Sequence, residues 1–316
     1  MKKLLTWVYR QRLRHPQVTP TIMMLHDVHP QGYTPQLFTV FLLLCRRFMD
    51  FYRLDEACTF LREHKPFPRP ALVLTFDDGM YNNLAFAYPI LRKYRIPATF
   101  FVVPGLVSTP QWIWTHEVTV RLYEAPERHP LLAHALFAPC SSTSQYSAER
   151  LVRVQGIVQH MKTLADPDRQ HCLGLIQHAF STPLSAHPLH ERYRIMTWEE
   201  IAAMDFSLIE IGSHSYSHPI LTRLPPDDLE QEGRESATAI TAHIHREPTS
   251  FCYPDGAHDD TVVSVVRHYY RQAVTTTAHA FSTLVDFYHL PRLYIGSTED
   301  TVWQVCRYQI RQQHQQ

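Results

Sequence analysis

Two short segments of this 316-residue chain carry residues suited to hydrolytic chemistry. In the first, the apolar run Ala71-Leu72-Val73-Leu74-Thr75-Phe76 ends abruptly in Asp77-Asp78-Gly79. Successive residues of an extended chain point to opposite sides. Adjacent carboxylates at a strand end can therefore serve two purposes, one binding a metal ion and the other handling a proton. Asp and Gly also dominate turns, and an Asp-Asp-Gly turn capping the next helix accounts for the same residues. In the second segment, Leu208-Ile209-Glu210-Ile211-Gly212-Ser213 runs into His214-Ser215-Tyr216-Ser217-His218-Pro219. Histidines four apart converge on one ion if a helical turn follows the strand. Alone, such a pair is more often structural. Beside a second strand ending in two carboxylates it becomes a catalytic-metal pattern, with positions left open for water and substrate.

Barrel enzymes place their chemistry at the C-terminal ends of strands, so the elements must bring these two ends together. Short apolar runs alternate with longer helical patterns, the rhythm of repeated β-α units. The runs predict strands at Thr21–Leu25, Ala71–Phe76, Ala98–Val103, Leu208–Ile211, Ser250–Tyr253, Gln272–Thr275 and His289–Ile295. Helical spacing marks Leu84–Tyr94. The capping-box pattern Thr197-Trp198-Glu199-Glu200 opens another helix, and one over Asp227–Ile244 follows the helix-blocking Pro225-Pro226. The expected fold is a distorted (β/α) barrel of about seven strands over residues 21–300. It is interrupted at 105–196 by a helical insertion with helices at Thr115–Tyr123 and Glu149–Leu164. A helical extension is expected over residues 1–20, and a C-terminal helix with a frayed tail over 301–316.

These segments resemble the first two motifs of the polysaccharide deacetylases, carbohydrate esterase family 4 with its NodB-type domain. The resemblance continues through Pro97-Ala98-Thr99-Phe100-Phe101-Val102, Trp198-Glu199-Glu200-Ile201, Ile211-Gly212 and Phe251-Cys252-Tyr253-Pro254-Asp255-Gly256. It implies removal of N-acetyl groups from an amino-sugar substrate, with Asp77 as catalytic base and Asp78, His214 and His218 holding one divalent ion. Zinc is expected, and cobalt, manganese or nickel suit the same ligands. A backbone N–H near Tyr253–Asp255 would help stabilise the oxyanion. The third motif departs from the family pattern Arg-x-Pro-Tyr, because Cys252 stands where arginine is usual. Arg292 is the candidate replacement, with a rim salt bridge as its alternative. No Leu-x-His motif supplies the acid for the leaving amine. His26, at the end of the first strand, is the candidate for that role or for substrate positioning, unless it is hydrogen-bonded beneath the site.

Composition narrows the remaining classes. Lys plus Arg and Asp plus Glu are both 30, a balance that argues against nucleic-acid binding. Six cysteines without a Cys-x-x-Cys pair offer no zinc knuckle, and nine glycines form no phosphate-cradling loop. His116-Glu117 lacks the second histidine of a zincin helix, and there is no nucleophile elbow. Trp112 and Trp114 read as core before they read as sugar platforms. Arginine interrupts the N-terminal apolar stretch too early for a signal peptide, giving a cytoplasmic expectation. Residues 1–14, mixing Leu4, Leu5, Trp7 and Val8 with Lys and Arg, suit weak contact with the inner membrane surface. A glycoconjugate precursor fits that placement. An O-acetyl ester, a non-sugar amide or a silent carbohydrate-binding homologue are the rival readings.

Overall fold

The computed structural model describes residues 19–30, 32–125, 129, 131, 147–278, 281 and 285–295. The stretch 1–14 considered for membrane contact and the helix and tail expected at 301–316 lie outside the described residues, as does the expected N-terminal extension apart from Thr19 and Pro20. The strands are β1 Thr21–Leu25, β2 Asp50–Tyr52, β3 Ala71–Phe76, β4 Ala98–Val102, β5 Ile209–Ser213, β6 Ser250–Cys252, β7 Gln272–Val274 and β8 Leu293–Tyr294. All pairings are parallel, in the order β7-β6-β5-β4-β3-β1-β8. β2 pairs beside the first half of β3, from Asp50 against Ala71, and β4 takes over that edge from Thr75 onward. Closure is thin. Leu290 bridges to Val274 on one side, and three residues later Leu293 pairs with Met23 on the other.

Parallel strands covered on both faces need apolar residues throughout, which is why β1, β3 and β4 read as unbroken runs and are wholly buried. The helices are α1 Pro35–Arg46, α2 Leu54–Arg62, α3 Tyr88–Tyr94, α4 Trp114–Glu124, α5 Ser147–Thr163, α6 Asp166–Ala179, α7 His190–Tyr193, α8 Trp198–Ala202, α9 Pro226–Ile244 and α10 Asp260–Tyr269. The expected capping box forms at α8: Thr197 Oγ1 accepts from Glu200 N–H, and the Glu200 carboxylate accepts from Thr197 N–H. The helix expected from Leu84 instead opens with a widened turn at Asn83–Ala87, where Tyr88 N–H reaches back to Asn83. The apolar run Phe38–Leu44 lies in α1, with Phe38, Phe41 and Leu42 buried. No helix among the described residues is long and apolar enough to cross a membrane.

Two apolar layers follow from strand alternation. Met23, Leu25, Leu72, Leu74 and Phe76 face the helices, while Ile22, Ala71, Val73, Phe101 and Cys252 belong to a second cluster inside the barrel. Between β4 and β5 the described residues form five α-helices, α4 to α8. Here α4, α5 and α6 share their own core of Trp114, Val118, Val154, Met161 and Ile176.

Candidate active site

Alternation along β3 sends Asp77 to the same side as Ala71, Val73 and Thr75, into the barrel mouth. Strict alternation would turn Asp78 away. Instead the chain leaves the extended conformation, with φ of 72° at Asp78 and 67° at Gly79. Both carboxylates consequently line one cavity of about 760 Å³, together with His26, His214, His218 and Tyr253. A side chain at Gly79 would be strained, because its φ is positive and a Cβ would lie 3.2–3.3 Å from Val102.

Asp77 is buried, and its carboxylate receives both terminal nitrogens of Arg292 at 2.7 and 2.8 Å. The rim salt bridge considered for Arg292 does not form, since this guanidinium is only 1% exposed. It also donates to Thr75 Oγ1, to the Thr275 carbonyl and to Cys252 Sγ, so all three nitrogens have partners. Burial by itself would raise the Asp77 pKa, but the charge and hydrogen bonds of Arg292 more than offset this and hold it below the usual value. Burial pushes the Cys252 thiol up, which keeps it neutral between the guanidinium and the carboxylate.

Asp78 Oδ1 stands 3.5 Å from Nε2 of both His214 and His218. His214 Nδ1 lies 2.8 Å from the Cys252 carbonyl, an acceptor only, so Nδ1 carries a proton and Nε2 is turned toward Asp78. One donor atom from each of the three residues lies within 4.8 Å of the others, all buried. Two imidazole nitrogens and a carboxylate oxygen meeting at such distances form a field that attracts a cation, and the set fits a divalent ion. The protonation pattern reflects that field. Burial opposes a charged His214, yet Cys252, Asp78 and Asp77 raise its pKa well above normal. Burial and the His214 charge push His218 down to about 3.

The loop between the two histidines is not the simple helical turn expected from their spacing. Ser215 and His218 both adopt φ of 61°, a conformation costing on the order of 1–3 kcal/mol for a residue other than glycine. Glu232 on α9 holds it. Its carboxylate accepts from Tyr216 N–H at 2.7 Å, Ser217 N–H at 3.0 Å and Ser217 Oγ at 2.5 Å. Sequence reasoning missed Glu232 because nothing in a mid-helix glutamate signals a contact with a loop 15 residues earlier.

His26 lines the cavity with its ring 5.9 Å from that of Tyr294. Tyr253 is fully buried, its hydroxyl donating to the Tyr288 carbonyl and its N–H to the Val274 carbonyl. Pro254 has no N–H, which leaves that of Asp255 (φ 57°) as this segment's candidate oxyanion donor. Asp255 also lines the cavity, paired with Lys162 of α5. Trp112 is core, with its indole N–H on His190. Trp114 is 5% exposed yet touches the cavity.

A family model described as polysaccharide deacetylase matches residues 64–162 and 177–274. The chain belongs to the polysaccharide deacetylase family. Within this family the curated poly-beta-1,6-N-acetyl-D-glucosamine N-deacetylase of Escherichia coli (strain K12) is 43% identical over 49 residues. That match covers 16% of this chain and 7% of the E. coli protein, so the chain spans a small part of its curated relative. Among solved structures, the Streptococcus pyogenes deacetylase PplD in complex with acetate is similar with a TM-score of 0.60 and 19% identity, over 92% of this chain and 98% of that one. IcaB from Ammonifex degensii gives 0.58 and 16% over 93% and 98%. At these identities the structural likeness speaks to the family's fold.

Proposed function

We propose that this chain is a metal-dependent hydrolase that removes N-acetyl groups from an amino-sugar-containing carbohydrate. The observation that carries the reading is the pairing, in one cavity, of a buried carboxylate held ionised by Arg292 with three convergent metal-ligand atoms. Asp78, His214 and His218 would hold the ion, with zinc as first choice and cobalt, manganese or nickel as substitutes. When bound, it supplies Lewis acidity to the acetamide carbonyl and to the attacking water.

The chain's own groups do the rest. Asp77 accepts the proton of the attacking water, and Arg292 and Cys252 fix its two oxygens so that it stays an acceptor. The Asp255 N–H would donate to the oxygen that gains charge. His26, which lines the cavity, would give the departing amine its proton, the role for which the final strand carries no Leu-x-His motif.

Acetate release from N-acetylated oligosaccharides by zinc- or cobalt-loaded protein, with Asp77→Asn as the blank, tests this. Acetate from the natural chain and none from the variant supports it. Release from O-acetyl sugars alone would replace it with an esterase. His26→Ala with near-normal turnover at every pH would remove His26 as the acid.

A further inference from the structure

α1 is apolar on both of its faces. Phe38, Phe41 and Leu42 turn into the core between the helices and the sheet. On the opposite face Leu37, Val40 and Leu43 are 50%, 55% and 44% exposed. Single exposed leucines are ordinary, but these follow helical spacing. Leu37, Val40, Leu44 and Arg47 stand at i, i+3, i+7 and i+10, with Leu43 beside them. A helix that is apolar all round calls for a partner on its outer side as well as its inner one. The stripe ends in cations. Arg46, Arg47, Arg92, Lys93 and Arg95 are all exposed. The Arg46 guanidinium donates to the Tyr94 carbonyl at 3.0 Å, which joins the C-terminal end of α1 to that of α3. No salt bridge holds any of these five among the described residues. Asp50 is taken by Arg69, and Asp205 is the carboxylate that feels the charges of Arg95 and Arg92.

We propose that the outer face of α1, with the cations at its C-terminal end, is a docking surface for an anionic phospholipid bilayer. Leucine and valine side chains enter the acyl boundary while arginine and lysine stay at the headgroups, as in other interfacial helices. At 12 residues α1 is about 18 Å long, so it lies on a bilayer and does not span the ~30 Å hydrocarbon core. Charge decides against two other occupants. Residues 1–18 carry Lys2, Lys3, Arg10, Arg12 and Arg14 and no carboxylate, so the basic end of the stripe repels that segment, and an anionic surface attracts both. A second copy related by a two-fold axis would set the same cations against each other. A polyanion such as nucleic acid leaves the apolar part of the face unmatched. α1 runs from the mouth end of β1 to the start of β2, so a bilayer along its outer face lies beside the cavity mouth and does not cover it.

Co-sedimentation of the full chain with vesicles tests this, using phosphatidylcholine alone and phosphatidylcholine with about 30% phosphatidylglycerol. The natural chain should partition onto the anionic vesicles about tenfold or more better than onto the neutral ones, and added salt should reverse most of that gain. Leu37→Gln/Val40→Gln/Leu43→Gln should lower binding to the anionic vesicles by about tenfold or more. Arg92→Gln/Lys93→Gln/Arg95→Gln should lower the preference for anionic lipid. Glutamine is nearly as good a helix former as leucine, so the α1 variant should melt within a few degrees of the natural chain. Val152→Gln, which removes an exposed apolar side chain from α5, should bind like the natural chain. No binding of the natural chain to anionic vesicles overturns the surface, and so does unchanged binding by the α1 variant. A much lower melting temperature in the α1 variant would mean that another segment of the chain packs on the stripe. A dimer that this variant converts to a monomer would mean that a second copy does. Either outcome overturns the bilayer as its occupant.

Discussion

Two buried carboxylates stand at opposite ends of the same parallel sheet, and one of them, Asp77, lines the active-site cavity. Glu210, near the start of β5, accepts hydrogen bonds from Asp55 N–H, Thr99 Oγ1, Thr249 Oγ1 and Ser250 Oγ. No salt bridge to it forms among the described residues; burial, followed by the Asp55 charge, pushes its pKa up to about 7. Asp77, just past the end of β3, is as deeply buried but has Arg292 on both oxygens and is held low. Hydrogen-bond satisfaction therefore does not distinguish a structural acid from a reactive one. A cationic partner and an open face do.

The sharpest way to break this contrast is to neutralise each acid in turn. Asp77→Asn should lower kcat/KM for deacetylation by about 10²–10⁴-fold, the usual size of a general base contribution, while zinc affinity measured by titration stays within a few-fold. Glu210→Gln should leave kcat/KM within about threefold. Equal losses in the two variants would mean that the two ends of the barrel do not differ in function.

Removing the cation tests the other half. Arg292→Met leaves Asp77 buried without its partner and should cost about 3–5 kcal/mol in denaturant unfolding at neutral pH. Because Asp77 has a depressed folded pKa, the pair's stabilisation is present above the unfolded value near 3.8 and is lost as pH falls through the folded one. The variant should lose that acid-side slope. The acid limb of its kcat/KM profile should also move upward, since burial is then opposed only by the weaker effects of His214 and His26.

A smaller effect is expected one layer behind the ligands. Glu232→Ala should weaken zinc binding about 10–100-fold, with apo-protein melting little changed, because its carboxylate holds the left-handed loop between His214 and His218. Glu232→Gln, whose carbonyl can accept the same two N–H groups, should recover most of the affinity. Failure of that rescue would show that charge, not loop geometry, is the contribution.

The smallest effect belongs to Glu210. Its folded pKa exceeds the unfolded value, so between pH 4.5 and about 7 the folded state retains a proton that the unfolded chain has lost, and stability declines as pH rises across that window. Unfolding of Glu210→Gln followed across the same range should lack this slope, which is at most about 1.4 kcal/mol per pH unit.

What the sequence disclosed follows from how locally each feature is encoded. β1 and β3 are legible at their boundaries because a doubly covered parallel strand must be apolar at every position, and both end at turn-forming polar residues. β2 has three residues, Asp50 among them, and is a strand only because β3 lies beside it. Asp77, Asp78, His214 and His218 were legible because the residues that meet in space are also concentrated at two strand ends. Glu232 was invisible, and Arg292 had an even alternative, because each role depends on a contact made over a long separation. The backbone reversals at Ser215 and His218, which aim the histidines, have no glycine to mark them.

The order in which these contacts enter the chain has its own consequence. All three candidate ligand residues have been synthesised once His218 is added, but the guanidinium that holds Asp77 ionised arrives 74 residues later, on the same short segment that closes the ring between β7 and β1. A growing polypeptide can therefore acquire its ligand set well before it has a competent base. If strands dock in the order of synthesis, completing the barrel and supplying the Asp77 partner become a single event.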